Sequence, residues 1–248
     1  MAISSNSVIH YTNKIESLKG IIQNKGFKVK YCSENVLLND FTTPIATPMV
    51  CFCDIPLSEV KNHIDSYGSY GIGLFKTWAK KSGLNPVLYI ENRSETAIQM
   101  KNAFEKLIKD FKDEKDDKDF SRMFVRIMQF CKNYEGPLKI GKIDTEHYRF
   151  YDEREWRYIP SIETLNGAPL VIPNNEYIKD KDDNNQKLEH IKLEFTVDEI
   201  SYIIVDSEDE IPEILTVLNQ TFEDDCTAKQ LKVLGTKIVT KNQIYNDF

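Results

Sequence analysis

Within eight residues, Tyr151-Asp152-Glu153-Arg154-Glu155-Trp156-Arg157-Tyr158 brings together three carboxylates, two guanidinium groups and three aromatic rings. Its β-prone content predicts strand over Tyr148 to Ile159. Side chains alternate along a strand, so Glu153, Glu155 and Arg157 share one face, and Arg154, Trp156 and Tyr158 the other. Carboxylates two residues apart on one face stand roughly 7 Å from each other. That arrangement suits cleavage of a glycosidic bond: one carboxylate stabilises an oxocarbenium-like centre while the other handles a proton. A surface strand laced with cross-strand ion pairs has the same pattern, and both readings stay open on this segment. Trp156, opposite Glu155, reads as core.

Three further groups carry candidate chemistry. His10-Tyr11-Thr12 ends a short β-prone run before a helix. A histidine there can hold a ribose hydroxyl, and the helix start beyond it favours anions such as phosphate. Tyr67-Gly68-Ser69-Tyr70-Gly71-Ile72-Gly73 lacks the GK[ST] of a phosphate loop and the spacing GxGxxG. It suits instead a shallow turn where Tyr67 or Tyr70 stacks on a planar ligand. Lys76 and Arg157 are candidate pyrophosphate contacts. Cys51-x-Cys53 with His63 does not match a zinc pattern, since positions i and i+2 of one strand are not a turn-borne pair and no second CxxC exists. These cysteines read as buried free thiols, and no metal site is expected. A Ser or Cys nucleophile with a histidine base is not signalled either.

The elements that must position these groups follow from periodicity. After Val8-Ile9-His10-Tyr11, either Thr12 or Asn13 is expected to cap a helix bearing Ile15, Leu18, Ile21 and Ile22, with Gly26 ending it in a left-handed cap. Pro48 to Cys53 reads as a buried strand, Tyr67 to Phe75 as a tight turn running into another, Lys76 to Lys81 as a short helix and Pro86 to Ile90 as a strand. Residues 94–133 carry two amphipathic helical patterns, with the charged stretch Lys109 to Asp119 between them or at their ends. Strand character returns at Leu170 to Ile172, Ile191 to Val197 and Tyr202 to Val205. Lys179 to Asn185 reads as a solvated loop tip, and Ser207 with Glu210 as a capping box. The expectation is one α+β domain over 1–248, with a helical insertion at about 94–133.

Composition bounds the partners. The 248 residues carry a formal net charge of −7 and are 41% hydrophobic and 29% charged, which excludes a disordered or fibrous chain and argues against a nucleic-acid coat or an anionic membrane surface. No run approaches the roughly 18 apolar residues of a membrane span. Five cysteines and no secretion signal lead us to expect the cytoplasm.

Taken together, the segments resemble two known groups. Pro48-Met49-Val50-Cys51-Phe52-Cys53-Asp54-Ile55-Pro56-Leu57, Tyr67-Gly68-x-Tyr70-Gly71-Ile72-Gly73-Leu74-x-Lys76-x-Trp78-Ala79, Asn85-Pro86-Val87-Leu88-Tyr89 and Asp152-Glu153-Arg154-Glu155-Trp156-Arg157 resemble AbiGi-type abortive phage-infection proteins, over most of the chain. That likeness implies phage defence and a cognate toxin or antitoxin partner. His10-Tyr11-Thr12, Leu18-x-x-Ile21-Ile22-x-x-x-Gly26-Phe27, Tyr70 to Phe75 and Glu153-Arg154-Glu155 are similar to short motifs of ADP-ribosyltransferase-fold proteins. This second likeness implies a split antiparallel sheet and NAD as a substrate cleaved at its nicotinamide N-glycosidic bond. His10 would hold the ribose, Glu155 would stabilise the oxocarbenium centre, and Glu153 would activate the acceptor. Gly73 stands where the polymerase branch carries its stacking tyrosine, so Tyr67 or Tyr70 has to supply that ring. Protein, nucleic acid, small molecule and water remain open as acceptors. The alternative is a non-catalytic antitoxin on the same fold.

Overall fold

The computed structural model describes residues 4–112, 118–140 and 143–247. Its centre is a nine-stranded sheet. In chain order the strands are β1 (Ser7–Thr12), β2 (Lys30–Leu38), β3 (Phe41–Cys53), β4 (Tyr70–Phe75), β5 (Asn85–Pro86), β6 (Glu155–Tyr158), β7 (Ile172–Pro173), β8 (Ile200–Val205) and β9 (Ile238–Thr240). Across the sheet they run β9-β8-β4-β1-β3-β6-β5, with β2 and β7 both paired to the first part of β3. Only β8 and β9 pair in parallel within this sheet. With eleven α-helices among the described residues, the fold is mixed α+β on a mostly antiparallel sheet.

Both faces of the sheet are covered, which explains why β1 is apolar at consecutive positions. Val8, Phe52, Ile72, Leu74 and Ile203 pack under α1 (Ile15–Gln23), through Leu18 and Ile22, and under the later helix Ile211–Phe222, through Ile214 and Leu218. On the opposite face Ile9, Tyr11, Cys53 and Ile204 meet Val60, Ile64 and Ile244. Ile64 belongs to α2 (Lys61–Tyr67), and α3 (Lys76–Lys81) follows β4 directly. The central strands β1 and β3 share one register pair, Ile9 with Cys53, whereas β1 and β4 share six. Beyond that pair β1 and β3 part, and residues 9–11 and 51–53 line the cavity described below.

Several local expectations are corrected. Helix α1 is capped by Lys14 with no side-chain hydrogen bond, so neither Thr12 nor Asn13 caps it; Thr12 stays in β1 opposite Tyr70. Gly26 does not end that helix but opens a short strand, Gly26–Lys28, and the left-handed residue is Lys25, with φ of 50°. A glycine is needed at 26 because a Cβ there would lie 2.8 Å from Lys192 Cγ and 2.9 Å from the Leu193 carbonyl of the paired strand. The strand ending at Cys53 begins at Phe41 rather than Pro48, and it forms a hairpin with β2 that turns through Asn39, with φ of 59°. Pro44 and Pro48 inside it are residues that normally argue against strand, which hid its length.

The helical insertion consists of α4 (Glu95–Lys112) and α5 (Lys118–Met128), between β5 and β6. Residues 113–117 of the expected charged stretch lie outside the described residues. The second helical pattern stops at Met128, and Cys131–Asn133 is instead a strand parallel to Leu88–Ile90. Lys179 to Asn185 is not a loop tip: Lys181–Gln186 is an exposed helical turn capped by the Asp180 carboxylate. The capping box of Ser207 and Glu210 is present. Strand does not extend over Tyr148 to Ile159 either. Phe150–Glu153 is a 3-10 turn, Arg154 is left-handed with φ of 46°, and only Glu155–Tyr158 is strand beyond it.

Gly68 ends α2 with φ of 117°, and a Cβ there would lie 2.4 Å from the Thr12 carbonyl and 2.5 Å from Asn13 Cα. Backbone clash and left-handed strain act together, so Gly68→Ala is expected to lose roughly 2 kcal/mol or more of stability. A thermal melt followed by circular dichroism checks this; an unchanged midpoint would contradict the placement of α2.

Candidate functional site

Glu155 and Arg157 lie on one face of β6, opposite Cys53 and Cys51 of β3. Facing residues of antiparallel strands share a face, so a charged pair and two thiols form one inward patch. Arg157 has no solvent exposure. Its Nε donates to Glu155 Oε1 at 2.6 Å, Nη2 to Glu34 Oε1 at 2.6 Å and to Glu155 Oε2 at 3.2 Å, and Nη1 to the Gln129 carbonyl at 2.7 Å. Lys132 extends the network: its Nζ donates to Glu153 Oε2 at 2.6 Å and to Glu155 Oε2 at 2.8 Å, and sits 4.9 Å from the Phe150 ring centroid. Tyr67 Oη donates to Glu153 Oε1. The Glu155 backbone N–H donates to Tyr89 Oη at 2.8 Å.

The electrostatics follow from burial and pairing. Burial alone would push the Glu155 carboxyl up, but Arg157 and then Lys132 outweigh it and hold the group well below the usual carboxylate range. Burial opposes charge on Arg157 and Lys132 too, yet the surrounding glutamates raise both well above their ordinary values. Glu34 is pushed up, by burial first and with help from Glu155, against the pull of Arg157. Burial pushes the Cys51 and Cys53 thiols up, so neither is a ready thiolate.

Sequence-predicted residues divide into two groups. His10, Tyr11, Tyr67, Glu153 and Glu155 line one cavity of about 510 Å³. The His10 Nδ1 lies 2.8 Å from the Cys51 carbonyl, which accepts only, so the proton sits on Nδ1 and Nε2 is left as an acceptor. Its ring packs edge-on against Phe27 and Phe52, and burial lowers its pKa. Thr12, Tyr70, Lys76 and Arg157 do not line the cavity. Tyr70 Oη donates to Glu210 at 2.7 Å, Lys76 Nζ pairs with Asp54 at 2.6 Å, and Arg157 lies behind the wall. At Gly73 an added Cβ would meet Ser201 Oγ at 2.8 Å and Tyr202 at 3.2 Å, so no aromatic ring fits there. Tyr67 is the ring that reaches the cavity.

Glu153 reaches the network from the 3-10 turn, not from the strand face that alternation gave it. Sequence reasoning missed Glu34, Lys132 and a role for His63. Glu34 sits in β2, and Lys132 in a short strand within residues whose periodicity predicts helix. His63 lies between Tyr11 and Tyr67, with ring centroids 5.3 and 4.4 Å away. Burial, helped by Lys132, lowers its pKa to about 4. All five cysteines are free, and among the described residues no three His, Cys, Asp or Glu side chains gather as a metal site. Among the same residues no helix is long and apolar enough to cross a membrane.

Residues 25–206 match a family model described as "Putative abortive phage resistance protein AbiGi, antitoxin". The chain is 29% identical over 205 residues to "Abortive phage resistance protein AbiGi" of Lactococcus lactis subsp. cremoris, an alignment covering 73% of this chain and 82% of the relative. No solved structure matches.

Glu155→Gln leaves Arg157 and Lys132 short of a buried counter-charge and is expected to cost about 3–5 kcal/mol in urea unfolding. The exposed pair of Lys139 and Asp144 provides the comparison: Asp144→Asn should change stability by less than about 0.5 kcal/mol. His63 is neutral in the folded state with its pKa below the unfolded value of about 6.5. Between those values the unfolded chain binds the extra proton, so stability falls as pH drops from about 6.5 through about 4. His63→Phe keeps a ring between Tyr11 and Tyr67, and should flatten that slope in pH-dependent melts.

Proposed function

The chain belongs to the AbiGi family of abortive phage resistance proteins, and on that premise we propose that it is the restraining half of a toxin–antitoxin pair, acting by binding its toxin rather than by catalysis. The observation that carries this reading is the condition of Glu155. Both its oxygens are held by Arg157, Lys132 shares one of them, and the residue is 6% exposed. A carboxylate that stabilises an oxocarbenium centre works by turning an uncompensated negative charge on the substrate. Here two cations already compensate it. Its depressed pKa also removes it from proton transfer near neutral pH. The family model's own description as an antitoxin agrees with this reading.

A second reading has one observation in its favour: His10, Tyr67, Glu153 and Glu155, predicted for NAD cleavage, do share a cavity. In that reading NAD is the substrate, and Lys132 must leave Glu155 when the dinucleotide enters. One experiment separates the two. The chain is co-expressed with the product of the adjacent gene, and the pair is followed by size-exclusion chromatography and by growth. Co-elution and relief of growth arrest are the expected results. Free chains with undiminished arrest would reject the antitoxin reading. Nicotinamide release from NAD by the purified chain, abolished by Glu153→Gln, would replace it with the enzymatic one.

A further inference from the structure

We propose that the cavity walled by Glu34, Lys132, Glu153 and the rings of Tyr11, His63 and Tyr67 is a binding site for a small organic cation, an ammonium or guanidinium group on a flat or alkyl body. This goes beyond the toxin-binding reading and holds whether or not a protein partner is bound.

The volume of about 510 Å³ falls in the range of small-molecule sites, roughly 300–1,000 Å³. Charge then selects the ligand. Glu34, Glu153 and Glu155 supply three carboxylates to the cluster, against the two cations Lys132 and Arg157. Both cations are spent: Arg157 makes four hydrogen bonds behind the wall, and Lys132 bridges two glutamates. The one cation that lines the cavity, Lys132, is thus already matched by two carboxylates, which weakens its pull on a phosphate or carboxylate ligand. The cluster offers a spare acceptor instead. Glu34 lines the cavity, its Oε1 accepts from Arg157, and its Oε2 has no hydrogen-bond partner among the described residues.

Glu34 is half-buried, and an excess of negative charge at a cavity wall is relieved either by a proton or by an arriving cation. Burial raises the pKa of Glu34; Arg157 pulls it down and Glu155 pushes it up. His63 supplies a second, independent observation. It lines the cavity, and its ring nitrogens have no hydrogen-bond partner among the described residues. Being neutral, it does not repel a cation, and with Tyr11 and Tyr67 it forms an aromatic wall of the kind that attracts one.

The test uses phenethylammonium, phenylacetate and ADP-ribose as probes, titrated calorimetrically into the whole chain. Phenethylammonium should bind saturably with a dissociation constant on the order of 1 mM or tighter, as expected for so small a ligand. Phenylacetate, similar in shape but anionic, should bind at least tenfold more weakly. Glu34→Gln should weaken phenethylammonium at least fivefold. Leu138→Lys, which brings a tethered ammonium to the cavity from the hairpin strand Gly136–Ile140, should abolish binding while leaving the glutamate–arginine network in place. The proposal is overturned if phenethylammonium fails to saturate, if phenylacetate binds equally well, if Leu138→Lys leaves affinity unchanged, or if ADP-ribose binds more tightly than phenethylammonium.

Discussion

A guanidinium with no access to water has to find its counter-charges inside the protein, and Arg157 finds them in three directions. It holds Glu155 two residues away on its own strand, Glu34 on the β2–β3 hairpin, and the Gln129 carbonyl just beyond α5. Removing any of these leaves part of a buried ion unsolvated, at a cost several times that of a surface pair. The sheet, the hairpin and the helical insertion are thereby fixed to one another at one residue. Lys132 continues the tie through Glu155 to Glu153 and the 3-10 turn before β6. The cavity is the space left in front of this network where β1 and β3 part.

The insertion is secured to the hairpin a second time by a neutral device. The Asn133 side-chain amide accepts from the Leu37 N–H at 2.8 Å and donates to the Leu37 carbonyl at 2.6 Å, pairing with the edge of β2 as a strand residue would. Around it Val36, Leu38, Ile90, Ala97, Met128 and Cys131 form a small separate core. Glu34 and Lys132 therefore approach the site from elements held together by both apolar burial and a two-point amide clamp, which sets their positions without using their charges.

How much of this was legible beforehand depended on the range of the interaction. Glu155, Arg157, Trp156 and Tyr158 alternate as period two requires, and β1, β4, α1 and α3 announce themselves through apolar spacing. Each of these signals is local. Alternation places Glu153 on one strand face with Glu155, but the left-handed Arg154 breaks the strand between them, and Glu153 meets the network from the 3-10 turn. Glu34 and Lys132 carried no local mark: one lies in a strand whose prolines mask it, the other in a three-residue strand beside a helix. Their partners are 123 and 23 residues away, and one-dimensional patterning does not encode such pairings. The antiparallel α+β character was readable; no solved structure matches to support the narrower likeness to ADP-ribosyltransferases.

The bond between Arg157 and Glu34 joins residues 123 apart in the chain, and this bears on how the site is lost as well as how it is built. Peeling back the β2–β3 hairpin would expose one flank of Arg157 while the other stayed sealed by Glu155 and the Gln129 carbonyl. Such a half-open state gives up the Arg157–Glu34 pair while the rest of the guanidinium stays out of water, without gaining the entropy of a free chain. It is a poor resting place. The hairpin, the end of the insertion and strand β6 are thus tied together at one buried ion, an arrangement that favours their opening together over opening singly.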